Sequence, residues 1–235
     1  MNNNDKVLKK ISKAKKFLKG APSKKIVSLQ VSILKKLATQ GSTEALIELA
    51  IEHYRGNYHL DPKVAFKVSL AAARRGDARC MLNVGYSYSE GMGVKTNFRN
   101  ALIWYKKAAS EGLPEAQYNL ALHYEKGHGV SQNAKLAFKY YKLAARYNDP
   151  EFNLSLGWCY EHGFGTKVNF KKSILCYKKS AKKGDAVAFF NLGLMRYFGN
   201  GVPANGKIAL KYFEESKKRG FKKSQVYINK ITRNS

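Results

Sequence analysis

Residues 76–111 read GDARCMLNVGYSYSEGMGVKTNFRNALIWYKKAASE, and residues 112–147 read GLPEAQYNLALHYEKGHGVSQNAKLAFKYYKLAARY. Laid one above the other, they place the same residue types in the same positions. Val84 stands over Leu120, Tyr88 over Tyr124, Gly91-Met92-Gly93-Val94 over Gly127-His128-Gly129-Val130, and Asn97 over Asn133. Trp104-Tyr105-Lys106-Lys107-Ala108-Ala109 stands over Tyr140-Tyr141-Lys142-Leu143-Ala144-Ala145. Self-similarity at a fixed period of a few tens of residues marks a chain built from stacked supersecondary units.

The register extends both ways. The opening glycine recurs at Gly41, Gly76, Gly112, Gly184 and Gly220, with Asn148 in the missing place, in steps of 35 and then 36 residues. Leu49, Val84, Leu120, Leu156 and Leu192 are in phase, each followed by a small residue: Ala50, Gly85, Ala121, Gly157 and Gly193. Four positions after each leucine or valine come His53, Tyr88, Tyr124, Tyr160 and Arg196. The loop repeats as Gly163-Phe164-Gly165-Thr166 and Gly199-Asn200-Gly201-Val202, with a shortened form, Gly56-Asn57-Tyr58, in the first unit. Five units follow: 41–75, 76–111, 112–147, 148–183 and 184–219.

Each recurrence has a mechanical reason. A first helix, A, starts after the opening glycine, where Ser42, Asp77, Asp149 and Asp185 supply an N-cap oxygen. Pro114 and Pro150 fall near the first helical position, where a missing N–H costs nothing. Helix A ends in the Gly-x-Gly loop, and a second helix, B, starts at Asp61, Asn97, Asn133, Asn169 or Asn205 as cap. Small residues let A and B approach closely, and aromatic rings fill the space between layers. The Gly-x-Gly loops join two helices and recur in every unit, so they read as turns; a dinucleotide cradle needs G-x-G-x-x-G between strand and helix.

On these residues the chain resembles the Sel-like repeat family, relatives of the tetratricopeptide repeat with a longer inter-helix loop. The likeness covers roughly residues 41–219. It implies an all-α fold: a right-handed α-α superhelix, or solenoid, of about five 36-residue helix-turn-helix repeats, used as an adaptor or scaffold for other proteins. The first unit departs by lacking the second loop glycine. The fifth departs with Arg196 in the tyrosine place and Ser216-Lys217 in the Ala-Ala place, as terminal units of a solenoid often do.

The ends continue the scheme. Residues 1–40 read as basic N-terminal capping helices. Within them 24–39 match a B helix, with Ile33 to Ala38 aligned on Trp104 to Ala109. Residues 5–19 form an amphipathic pattern with Val7, Leu8, Ile11, Ala14 and Leu18 on one side; Phe17 and Gly20 keep the tyrosine and glycine phases. That helix caps the stack or lies on a membrane surface. Residues 220–235 read as a basic C-terminal cap built on a final A helix.

The 235 residues carry 43 Lys+Arg against 16 Asp+Glu, a formal charge of +27. Residues 1–40 hold 11 lysines and one acid, and 206–235 hold nine bases and two acids, so both ends are more basic per residue than the centre. Such a chain attracts anionic partners, or is simply well solvated. Three cysteines, Cys80, Cys159 and Cys176, argue against a disulfide framework and for a reducing compartment. No stretch approaches a membrane span, and lysines interrupt any apolar leader at the N-terminus. A cytoplasmic location is expected.

No catalytic constellation stands out, and no cofactor, metal or small-molecule substrate is expected. His53, His59, His123, His128 and His162 form no ligand set with carboxylates. Cys159 and Cys176 fall on the A and B helices of one unit. Secreted Cys-rich members of the family carry regular cysteine pairs in each repeat, and some are linked to β-lactam binding; this chain lacks that regularity. Core thiols are the expectation, with a Cys-dependent enzyme as the alternative.

In such stacks helix A lines the concave face. The face opposite the leucine–tyrosine stripe carries Asn83, Asn119, Ser155 and Asn191, then Ser87, His123, Cys159 and Met195, then Glu90, Lys126, His162 and Phe198. Partner contacts are expected from Asn83, Ser87, Asn119, His123, Lys126, Ser155, His162, Asn191 and Arg196. The asparagines grip a peptide backbone there, or bond within the repeat. Lysines gather on helix B and at the ends, with an electrostatic patch at Lys178, Lys179, Lys182, Lys183, Lys217, Lys218 and Arg219. The expected function is a non-catalytic scaffold that holds an acidic protein or peptide in the groove, such as a toxin or effector it neutralises. The alternative is a nucleic-acid-binding accessory protein, non-specific and steeply salt-dependent.

Overall fold

The computed structural model describes residues 32, 34–39, 41–54 and 61–233. The amphipathic pattern at 5–19, with its membrane-surface alternative, and the shortened loop Gly56-Asn57-Tyr58 lie outside the described residues, as does His59. Among those described, every regular element is helical: α1 (Thr43–Tyr54), α2 (Pro62–Ala73), α3 (Ala78–Glu90), α4 (Phe98–Ser110), α5 (Pro114–Lys126), α6 (Ala134–Ala144), α7 (Pro150–His162), α8 (Phe170–Lys182), α9 (Ala186–Phe198), α10 (Gly206–Lys218) and α11 (Ser224–Arg233). The odd-numbered helices are the A helices of the sequence, the even-numbered ones the B helices. The chain forms two compact units, Met1–Ala116 and Gln117–Ser235.

Helix starts are set by side-chain caps. Asp77 and Asp185 accept from Cys80 N at 2.7 Å and Ala188 N at 2.6 Å on A helices. Asn97, Asn133, Asn169 and Asn205 accept from the amide three residues on at 3.0, 2.9, 2.9 and 2.9 Å on B helices. These asparagines do a second job. Their own N–H groups donate back to Tyr88, Tyr124, Tyr160 and Arg196 carbonyls at 2.8, 2.8, 2.7 and 2.8 Å. One residue therefore starts helix B and ties it to the end of helix A, which fixes the loop in one geometry. Asn148, in the place of the missing glycine, takes the left-handed conformation with φ 57°, and among the described residues it is the sole non-glycine to do so.

In the first unit Ala50 of α1, Ala72 and Ala73 of α2, and Cys80 and Val84 of α3 form one buried cluster. Phe66 packs its edge on Tyr88 at 5.3 Å. Leu34 and Leu37, in the helical residues 34–39, pack on Ala45 and Leu49 of α1, as an incoming B helix would.

In the second unit each hairpin packs on the next. Ala121 and Tyr124 of α5 join Ala137 and Tyr141 of α6 and Cys159 of α7. Ile174, Tyr177 and Ala181 of α8 join Ala188, Leu192 and Met195 of α9. The close approach of A to B rests on missing side chains. A Cβ at Gly157 would lie 2.6 Å from the Tyr177 ring, and one at Gly193 2.6 Å from Phe213. α11 packs on the last repeat, where the rings of Tyr227 and Phe213 stack at 5.0 Å.

Ser180 stands where Ala108 and Ala144 stand in the two preceding repeats. It is fully buried, and its Oγ has no hydrogen-bond partner among the described residues. Ser180→Ala is therefore expected to stabilise the second unit by about 0.5–1 kcal/mol, because it removes an unsatisfied hydroxyl and adds helix propensity. Urea unfolding of the two proteins checks the sign.

Candidate protein-binding surface

The face that α7 leaves open carries Glu151, Ser155, Trp158 and His162, spaced by four, three and four residues and therefore in one row. Trp158 is 38% exposed, large for a tryptophan. His162 stacks on it with ring centres 4.9 Å apart and interplanar angle 28°, and His162 Nδ1 lies 3.1 Å from the Trp158 carbonyl. Phe164, in the loop, tilts against the same indole at 5.3 Å. At the other end of the row, Tyr118 on α5 donates from its hydroxyl to Glu151 at 3.0 Å and lies 3.3 Å from Ser155 Oγ. The result is an indole held edge and face by neighbours, next to polar groups that both donate and accept. Rigid aromatic anchors beside adaptable polar groups are what protein interfaces select.

The expected site residues fare differently. Lys126 and His162 are exposed; Asn83, Asn119, Ser155 and Asn191 are half-buried. Arg196 is half-buried and donates to the Pro203 carbonyl at 3.3 Å, so its guanidinium braces the following loop. Ser87 and His123 are corrected: the first is fully buried and the second 4% exposed, with its Nδ1 2.9 Å from the His128 carbonyl. Cys159 and Met195, in the same row, are also buried, and they pack on the hairpin before their own. A helix A inside a stack touches the preceding repeat as well as its own B helix, so its buried arc is wider than one stripe. Trp158, Tyr118 and Glu151 were not among the expected residues. The signal for Trp158 lay in the register, where Tyr86, Leu122, Trp158 and Leu194 stand in phase.

Charge divides between the two kinds of helix. The B helices α2, α4, α6, α8 and α10 hold sixteen lysines and Arg99 against Glu214 and Glu215. The A helices α1, α3, α5, α7 and α9 hold eight glutamates against Arg79, Lys126 and Arg196. The patch residues Lys178, Lys179, Lys182, Lys183, Lys217, Lys218 and Arg219 are all exposed.

Two of the A-helix glutamates are structural. Glu161 accepts the Tyr177 hydroxyl at 2.5 Å, and Glu125 accepts that of Tyr141. Burial first, and these bonds second, push both phenols up. Burial also pushes Tyr118 and the Cys159 thiol each up to about 12, and raises Cys80 and Cys176. A thiol that stays protonated in a dry core is a poor nucleophile, which speaks against Cys-dependent chemistry. These shifts have one sign. Above the ordinary thiol value of 9.0 the unfolded chain releases protons that the folded chain keeps. The stability these groups contribute is therefore fully present below about pH 9 and is lost towards about pH 12. Melting temperature against pH, read with tyrosinate absorbance, should show the ionisation of Tyr118, Tyr141 and Tyr177 arriving together with unfolding.

The Sel1 repeat family profile matches residues 78–113, 114–149, 150–185 and 186–221. The matched blocks begin two residues after Gly76, Gly112, Asn148 and Gly184, a shift of origin along the same period; the first unit, 41–75, is not among them. The chain is similar to c5321, a protective antigen of uropathogenic Escherichia coli displaying an SLR fold, with 31% identity and a TM-score of 0.80 over 86% of this chain and 43% of that one. It is similar to a Sel1 repeat protein from Oxalobacter formigenes, with 32% identity and a TM-score of 0.69 over 76% of this chain and 72% of that one. It also matches the chitin synthase regulator SKT5 of Saccharomyces cerevisiae, 32% identical over 85 residues, which are 35% of this chain and 12% of that protein. The chain thus spans less than half the length of the first and a small part of the third. No described helix is long and apolar enough to cross a membrane.

Proposed function

Because the chain belongs to the Sel1 repeat family, whose members generally act as protein-interaction scaffolds, we propose that it is a non-catalytic adaptor that seats a protein partner on its A-helix surface. The exposed, braced Trp158 carries this reading. The part of the indole left exposed adds nothing to the stability of the stack, whereas a partner that buries it gains both area and orientation. Ser155 and His162, in the same row of α7, supply polar groups beside it. The partner we favour is acidic. Its attraction comes from the lysines of the B helices and the basic ends, which raise encounter rates at long range, while the A surface sets the fit. We place this activity in the cytoplasm, a reducing compartment suited to three buried, unpaired thiols.

The test is affinity purification from the native host at low and physiological salt, with the wild-type chain and Trp158→Ala side by side. Expected is a protein recovered in stoichiometric amount at both salts with wild type and reduced at least tenfold with the variant, since a buried tryptophan anchor is worth about 2 kcal/mol or more. Equal recovery by both chains, or recovery of nucleic acid alone, contradicts the reading.

A further inference from the structure

Leu175, near the middle of α8, is 59% exposed. Its four nearest neighbours on the helix surface, three and four residues away on either side, are Lys171, Lys172, Lys178 and Lys179, and all four are exposed. Lys182 extends the same stripe by one turn. The arrangement occurs a second time in the other unit. Ile103 of α4 is 51% exposed, and three of its four equivalent neighbours are Arg99, Lys106 and Lys107, all exposed. Neither α4 nor α8 contains an acidic residue. An exposed branched aliphatic ringed by cations is an odd choice for a solvated helix, where a fifth lysine or a glutamate would serve; Lys139 and Lys211 take that place in α6 and α10.

We propose that the outer stripe of α8 docks on an anionic phospholipid surface, with the lysines on the headgroups and Leu175 in the boundary with the acyl chains. A bilayer surface is the anionic partner that rewards both halves of the pattern. A nucleic-acid backbone satisfies the lysines and leaves the leucine in water, and single strands need exposed aromatic platforms that this stripe lacks. The preference for lysine points the same way. The B helices use sixteen lysines and a single arginine, and a hydrated ammonium suits diffuse headgroup charge better than the paired geometry that arginine supplies. This surface is separate from the row around Trp158, so an adaptor of this form could hold a protein with one kind of helix and a membrane with the other.

The test is co-sedimentation of the full chain with vesicles of phosphatidylcholine alone and of phosphatidylcholine with phosphatidylserine. Binding is expected only to the second kind, and it should weaken as salt rises. K171Q/K172Q/K178Q/K179Q is expected to lower the partition coefficient a hundredfold or more, from about fivefold per lysine. Leu175→Ser is expected to lower it about tenfold while leaving binding to duplex DNA unchanged. A charge-matched control, K222Q/K223Q/K230Q/R233Q on and before α11, should lose far less than the α8 variant. Circular dichroism confirms that each variant is folded. No binding to anionic vesicles overturns the proposal. So does an unchanged Leu175→Ser, which would leave only net charge or a nucleic-acid surface, and so does a control that loses as much as the α8 variant.

Discussion

Replacing Gly165 with alanine is expected to destabilise the second unit by about 3–5 kcal/mol and to lower its melting temperature by on the order of 10–20 °C. Two independent penalties meet there. The residue has φ +67°, a left-handed conformation that costs an L side chain about 1–2 kcal/mol. The added Cβ would also stand 2.0 Å from the Ala134 carbonyl oxygen and 2.8 Å from Phe138 Cβ, at the start of the preceding B helix. Backbone cannot swing aside as a flexible side chain can, so either the loop or α6 must move. Gly184 separates the two penalties. It has φ +91° with nothing within 4 Å of a Cβ, so Gly184→Ala should show the conformational cost alone, about 1–2 kcal/mol. Equal losses at the two positions would mean that the loop does not seat on the previous hairpin.

Tyr177→Ala is expected to cost a further large amount, about 3–5 kcal/mol, as deletion of a fully buried ring does. The ring is 0% exposed and fills the gap that Gly157 leaves open. Truncation would leave a cavity between α7 and α8 and orphan the half-buried Glu161 carboxylate. Tyr177→Phe isolates the second effect and should cost about 1.5–3 kcal/mol, the range for hydrogen bonds to charged groups. The chain contains its own comparison. In the next repeat Phe213 takes the tyrosine's place, and Tyr197 takes that of the glutamate sixteen residues earlier. The double variant Tyr177→Phe/Glu161→Gln should therefore recover part of the loss. Guanidinium unfolding of the wild type, Tyr177→Phe, Glu161→Gln and the double variant gives the coupling.

How much of this was legible beforehand depends on what a repeat imposes. The period, the caps at Asp77, Asp185 and the four asparagines, and the left-handed place filled by Asn148 are local requirements of a helix end, and each repeat states them again. The final A helix follows from the same register. What a helix presents outward is less local. Ser87 and His123 belong to a row that neighbouring repeats bury at Cys159 and Met195, and a one-stripe reading of amphipathicity places that row outside. Trp158 was hidden for the opposite reason: an apolar residue on a repeat is read as core until the packing shows how much of it is left uncovered. The short Tyr177–Glu161 bond joins positions sixteen residues apart and needs both helices in place before it can be seen.

A photo-crosslinking residue placed at position 162, beside the intact Trp158, with a second chain carrying it at position 175, tests the scaffold reading most directly when both are expressed in the native host and irradiated there. Position 162 should yield one discrete covalent adduct with a protein, lost when Trp158 is also replaced by alanine, and position 175 should yield no adduct with that protein. A discrete protein adduct at 175 with none at 162 would put the partner on the B helices and contradict the account.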